Sequence, residues 1–241
     1  MLKMHYEYNN TGSNSTVVFL HGWGLNGNSF NSIINRIKNV STLKVDFYGF
    51  GQSVQPKEYF DTYEYAYQIF LLLKKLNIKN IVLVGHSFGG RVAIVLSSVF
   101  NIKVRNLVLT SSAGINRFNL KTWLKIKWYK FLKVLNKMRI ISDDKLSYSG
   151  SIDYKNSDKL MRRILINVVN QDLKYLLNDI SAKTLLVWDK KDKDTPYYIC
   201  KTLSGYINNS KVVLYNNGGH FVAFENINKF SSEINNILVN G

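Results

Sequence analysis

Cysteine is nearly absent: Cys200 is the one thiol in 241 residues. An internal disulfide is thereby excluded, and without companion cysteines or a histidine cluster so is a thiolate zinc site. The expected role of Cys200 is to fill space on a helix. Acidic side chains are also scarce, with 16 Asp and Glu against 32 Lys and Arg and a formal charge of +16. Such a balance suits nucleic acid or an anionic membrane. However, no nucleic-acid motif, repeat or low-complexity tract accompanies it. Only two prolines occur among abundant Asn, Ile, Lys and Tyr, so a composition-wide bias with a solvated lysine surface is expected, and nucleic acid is not an expected partner. Long apolar runs are missing as well. Nothing approaches the roughly 20 uncharged residues that span a bilayer, and residues 1–12 hold no apolar stretch of signal-peptide length. The expected location is therefore cytoplasmic.

What is present can bury a sizeable core, since 46% of the residues are hydrophobic, and the length fits one domain with an insertion. Its centre is residues 82–96, where the apolar Val82-Leu83-Val84 meets Gly85-His86-Ser87-Phe88-Gly89-Gly90-Arg91 and continues as Val92-Ala93-Ile94-Val95-Leu96. A buried strand, a tight turn and a helix are expected there. The turn fits the G-x-S-x-G pattern, which lifts a serine hydroxyl above the sheet edge while glycines let strand and helix approach. Further strands are expected at 16–20, 43–46, 107–110, 184–188 and 211–215, with helices at 29–38, 61–76, from 195 and from 226. Asp61 is the expected N-cap of the second helix, with Glu64 at the capping-box position. Strands alternating with helices imply an α/β fold with a doubly wound, mostly parallel sheet. Gly49-Phe50-Gly51 lacks the third glycine and following helix of a dinucleotide loop, and that reading is rejected.

The order His21-Gly22-Trp23-Gly24, Asp46-x-x-Gly49-x-Gly51-x-Ser53, Gly85-His86-Ser87-Phe88-Gly89-Gly90, Asp192…Pro196 and Gly219-His220-Phe221 resembles the α/β-hydrolase superfamily. The whole is similar to small bacterial capped serine hydrolases of the carboxylesterase-like kind; within it, Asp153-Tyr154-Lys155 and residues 168–173 look like the cap of small bacterial hydrolases, a match that refines the subgroup and names no chemistry. The resemblance implies a core domain at 1–114 and 179–241, and a helical cap at 115–178 inserted after the sixth strand. It also implies Ser87 as nucleophile, His220 as general base and Asp192 as the acid, with Asp194 or Asp189 as fallback.

The chemistry asks for the same residue types, because a serine hydroxyl is a poor nucleophile without a base in reach and a partner that fixes the base's tautomer. Of four histidines, His5 lies in the first segment, His21 is expected to brace its loop and His86 is locked on the turn, which leaves His220. For the oxyanion, the Phe88 amide opens the helix, and by resemblance the Trp23 amide faces it. Trp23, Trp123, Trp128 and Phe221 are the expected pocket residues. The expected substrate is a small or medium acyl compound, most simply a carboxylic ester, with no metal or organic cofactor. Thioester, amide or carbon–carbon hydrolysis on the same triad remains open, as does a ligand-binding protein with a hydrolase shell. In residues 120–138 an apolar stripe faces away from lysines. It is expected to roof the pocket, while contact with an anionic membrane remains open. Docking of an acidic carrier protein also remains open, since His21-Gly22-Trp23-Gly24-Leu25-Asn26 looks like the same stretch of pimeloyl-carrier-protein methyl ester esterases.

Overall fold

The computed structural model describes residues 3–116, 127–128, 131–132, 136 and 157–240. Seven strands form one sheet: β1 (Tyr6–Asn9), β2 (Thr16–Leu20), β3 (Ser41–Val45), β4 (Ile81–His86), β5 (Val104–Thr110), β6 (Lys183–Asp189) and β7 (Ser210–Tyr215), in the order β1-β3-β2-β4-β5-β6-β7. All neighbours run parallel except β1, which pairs antiparallel with β3. The helices among the described residues are α1 (Asn31–Ile34), α2 (Thr62–Lys75), α3 (Phe88–Val99), α4 (Lys159–Asn170), α5 (Tyr197–Tyr206), α6 (Val222–Glu225) and α7 (Ile227–Asn240).

Strand periodicity sorts the core onto the two faces. Val18, Leu20, Leu83, Leu107 and Leu186 join α2, α3 and α5 on one side, while Val17, Phe19, Val82, Val84, Val108 and Val187 pack on Phe30, Phe230 and Ile234 on the other. Alternate residues point to opposite faces of a strand, so a sheet covered on both sides needs apolar residues at every position. β2 is accordingly buried throughout.

Three expectations need correction. The insertion leaves the sheet after its fifth strand, because β1 is the one strand ahead of β2 among the described residues. The helix expected at 29–38 is a 3₁₀ turn over Gly27–Phe30 followed by the four-residue α1. The helical cap expected to run to residue 178 has its last α-helix end at Asn170, and a 3₁₀ segment, Lys174–Asp179, follows it. By contrast, the Asp61 carboxylate does cap α2, accepting from the Tyr63 and Glu64 amides at 2.7 and 3.0 Å, and Cys200 is buried on α5. Most of the 115–178 segment, including Trp123 and nearly all of the basic stripe at 120–138, lies outside the described residues. Among the described residues no helix is long and apolar enough to cross a membrane.

Asp46, at the end of β3, holds the two loops that flank the candidate site. Its carboxylate accepts from the Gly27 amide at 2.7 Å, the Gln52 amide at 2.8 Å and His5 Nδ1 at 3.0 Å. Burial pushes this carboxyl up, but the two amides, His21 and His5 outweigh it and hold the group below its ordinary range. Ser53 Oγ donates to the Asp46 carbonyl and accepts from the His5 amide. Asp46→Ala orphans these donors, so about 3 kcal/mol of stability should be lost, measured by urea unfolding.

Candidate active site

The strand-turn-helix centred on Ser87 is built as tightly as the glycines suggest. Ser87 adopts φ 51°, ψ −111°, a left-handed conformation that non-glycine residues rarely hold and that the surrounding packing must impose. A Cβ on Gly89 would lie 2.0 Å from the Leu20 carbonyl oxygen, and one on Gly85 would lie 2.7 Å from the Gly89 oxygen. The bare backbones thus let α3 start directly above β2 and β4, with the serine at its N-cap.

From there the polar chain runs across the carboxyl ends of the strands. Ser87 Oγ lies 3.0 Å from His220 Nε2, and His220 Nδ1 lies 3.1 Å from Asp192 Oδ2. His220 follows Gly218 at φ 112° and Gly219 at φ 53°, a turn that aims the imidazole back over the sheet. Asp192 is fixed from the other side. Its Oδ1 accepts from the Asp194 and Thr195 amides, each at 2.9 Å, and its Oδ2 accepts from Thr195 Oγ1 at 2.7 Å. Burial pushes this carboxyl up, yet the hydrogen bonds from His220 and Thr195 prevail and hold it below its ordinary range. It therefore stays ionised beside the imidazole at neutral pH, so Nδ1 carries the proton and Nε2 is free to accept.

The geometry separates Asp192 from its alternatives. Asp189 faces the histidine loop through the Gly219 amide, 2.9 Å from its Oδ2, and also accepts from the Lys191 amide. It tethers β6 to that loop. Asp194 is exposed. Asp192, Asp194 and His220 offer ligand atoms within 4.8 Å of one another, but Asp192 and His220 already spend those atoms on each other and on Thr195. A metal ion there would have to break those bonds.

The other histidines are placed for support. His21 donates from Nδ1 to the Gly22 carbonyl at 2.7 Å and accepts at Nε2 from the Phe47 amide at 3.0 Å. Burial pushes it down to about 4. His86 is pushed down to about 3 by burial and then by His220. Both are neutral in the folded protein, whereas in the unfolded chain they protonate near their ordinary value of 6.5. The unfolded chain therefore binds more protons between pH 6.5 and about 4, and stability should fall as pH drops through that window. The slope expected for two such groups is about 2.7 kcal/mol per pH unit at its steepest. Urea unfolding at pH 7, 5.5 and 4.5 reads it, and a flat profile would contradict the neutral assignment.

Beside Ser87 opens a cavity of about 480 Å³ lined by Trp23, Leu25, Phe88, Leu165, Val168 and Phe221, among others. Trp23 stands edge-on to Phe50 and Phe88, with ring centroids 4.8 and 5.3 Å away. Among the described residues neither the Trp23 nor the Phe88 amide has a protein acceptor. Trp128 does not line this cavity: it is 62% exposed and packs on Phe131. Its place is taken by α4, whose Leu165, Val168 and Val169 form part of the wall. The sequence carried that signal in the buried Met161, Ile164, Leu165 and Val168, spaced as one helical face. Thr195, which holds the Asp192 carboxylate, was missed, and Asp189 was named only as a fallback acid and not as the tie to the histidine loop, because no local pattern marks a residue that acts by orienting another.

A seven-stranded, mostly parallel sheet with a serine on the turn after its central strand defines an α/β hydrolase. Residues 15–139 match the family described as alpha/beta hydrolase fold, and the chain belongs to it. Among its relatives, the AB hydrolase superfamily protein YisY of Bacillus subtilis is 26% identical over 92% of this chain and 91% of its own length. A pimeloyl-[acyl-carrier protein] methyl ester esterase of Wigglesworthia glossinidia brevipalpis is 36% identical, over 40% of this chain and 36% of its own. An esterase structure from Exiguobacterium antarcticum superposes with TM-score 0.75 at 22% identity, covering 98% of this chain and 95% of that one. Such a likeness bears on the fold.

Proposed function

We propose that this protein is a serine hydrolase that cleaves a small or medium acyl compound, most simply a carboxylic ester, through an acyl-enzyme. The observation that carries the reading is the continuous chain Ser87 Oγ, His220, Asp192, with links of 3.0 and 3.1 Å. In it, His220 Nε2 takes the Ser87 proton as Oγ attacks the acyl carbon, and the Nδ1–H bond to Asp192 stabilises the imidazolium that forms. The Phe88 and Trp23 amides receive the developing oxyanion, each contributing about 3 kcal/mol of transition-state stabilisation. His220 then passes its proton to the leaving alcohol, and a water deprotonated by the same nitrogen releases the acid.

Supporting the small-to-medium size is the cavity of about 480 Å³, in the range of small-molecule pockets. The partial likeness to a carrier-protein methyl ester esterase, which spans 98 residues, is compatible with ester chemistry. Turnover of p-nitrophenyl acetate, hexanoate and palmitate tests the reading. The short and middle chains should be cleaved and the palmitate poorly, and all activity should vanish with Ser87→Ala. Activity that survives that substitution would remove Ser87 from the mechanism.

A further inference from the structure

Arg91 lies one helical turn beyond Ser87 on α3, on the same face. It is 4% exposed, and it lines the cavity that opens beside the nucleophile. No carboxylate among the described residues pairs with it. Its Nη1 donates to the Gln171 carbonyl at 2.7 Å, and its Nη2 to the Val169 carbonyl at 3.2 Å and Asn116 Oδ1 at 3.5 Å. All three acceptors are neutral. A guanidinium has five N–H donors, so the Nε hydrogen and one on Nη1 have no acceptor among the described residues.

We propose that the cavity takes an acyl chain ending in a carboxylate, and that Arg91 receives that end while the scissile carbonyl sits over Ser87. The inference rests on the serine-hydrolase reading above and names its substrate class. Carbonyl oxygens at the end of α4 could be held by a neutral donor, whereas burying a cation without a counter-charge is costly unless a partner arrives. Burial pushes the guanidinium down only to about 10, so it remains charged at neutral pH. The acid that influences it, Asp172, is exposed to solvent. Leu25, Leu165, Val168 and Phe221 supply an apolar wall for the methylene chain, and the fork geometry of arginine suits a carboxylate. Asp194 also borders the cavity, but it is exposed and screened by water.

The test compares kcat/KM for methyl hydrogen adipate and methyl hydrogen pimelate with methyl hexanoate and methyl heptanoate. The half-esters should be preferred by at least about tenfold at low salt. Arg91→Met should abolish that preference, lowering kcat/KM for the half-esters by at least about tenfold more than for methyl hexanoate, whose own loss reports the carbonyls of Val169 and Gln171 left without their donor. Arg91→Lys should keep part of the preference. Should Arg91→Met fail to fold, adipate binding to the otherwise intact Ser87→Ala protein, read by calorimetry, decides the point, and no detectable heat at millimolar adipate overturns the proposal. Equal or better cleavage of the neutral esters, or a preference that persists in Arg91→Met, would overturn the carboxylate assignment and leave the serine-hydrolase reading standing. If none of the four esters is turned over in a Ser87-dependent way, both fall.

Discussion

Ser87→Ala and His220→Ala are each expected to lower kcat for an ester by about 10⁴-fold or more while the protein stays folded. Both side chains stand on elements whose position does not depend on them. Ser87 is held by the packing of α3 on β2 and β4, and His220 by the Gly218–Gly219 turn that Asp189 ties to β6. On the proposed mechanism each removal breaks the route by which the hydroxyl proton leaves, so the double variant should be little worse than either single one. Asp192→Asn should follow with a loss of about 10³- to 10⁴-fold, because an amide offering N–H toward Nδ1 favours the wrong tautomer. Single-turnover kinetics with thermal melts separates this pattern from unfolding. A Ser87→Ala protein that melts normally and retains activity within tenfold would contradict it.

Gly89→Ala is the second large effect, this time on the fold. The added methyl would lie 2.0 Å from the Leu20 oxygen, 2.4 Å from the Leu20 carbon and 2.7 Å from the His21 oxygen, all of them main-chain atoms. No rotamer change relieves contacts with backbone, so α3 must shift from β2 at a cost of about 3 kcal/mol or more. The same shift would spread the Trp23 and Phe88 amides, and with them any oxyanion site, so the surviving folded fraction should lose about 10²-fold in kcat. Gly205→Ala is the matched control. It lies in α5 with nothing within 4 Å of the added Cβ, and a helical Gly→Ala exchange there should be neutral or stabilising by up to about 1 kcal/mol. Urea unfolding of both variants reads the contrast.

The parallel strands were legible because burial on both faces demands unbroken apolar runs such as Thr16–Leu20 and Ile81–His86. β1 was not read as a strand, since its Tyr-Glu-Tyr-Asn sequence is half exposed and is fixed by pairing with β3. The short helix after β2 was overread for a related reason: the spacing of Phe30, Ile33 and Ile34 is helical, but the chain turns after Ile34. Ser87 and His220 could be proposed from the turn pattern and from the scarcity of histidines. Asp192 needed the resemblance, because Asp189 ends β6 and Asp192 and Asp194 follow it, and only the fold shows which of the three faces the imidazole. The cavity wall was the least legible part. Trp23 and Phe221 line it as expected, but Trp128 does not and Trp123 lies outside the described residues, whereas the aliphatic side chains of α4 and the arginine one turn past Ser87 line it without having been singled out. Size marks a residue in a sequence, but which helix a long connection brings over the site is decided by tertiary packing.

The most direct test of the central claim is intact-mass spectrometry of the protein after exposure to a fluorophosphonate, which reacts with an activated serine hydroxyl. The wild-type chain should gain one adduct, mapped to Ser87, and Ser87→Ala and His220→Ala should gain none over the same interval. Folded wild-type protein that stays unlabelled, or an adduct on Ser87 that forms as fast without His220, would contradict the account.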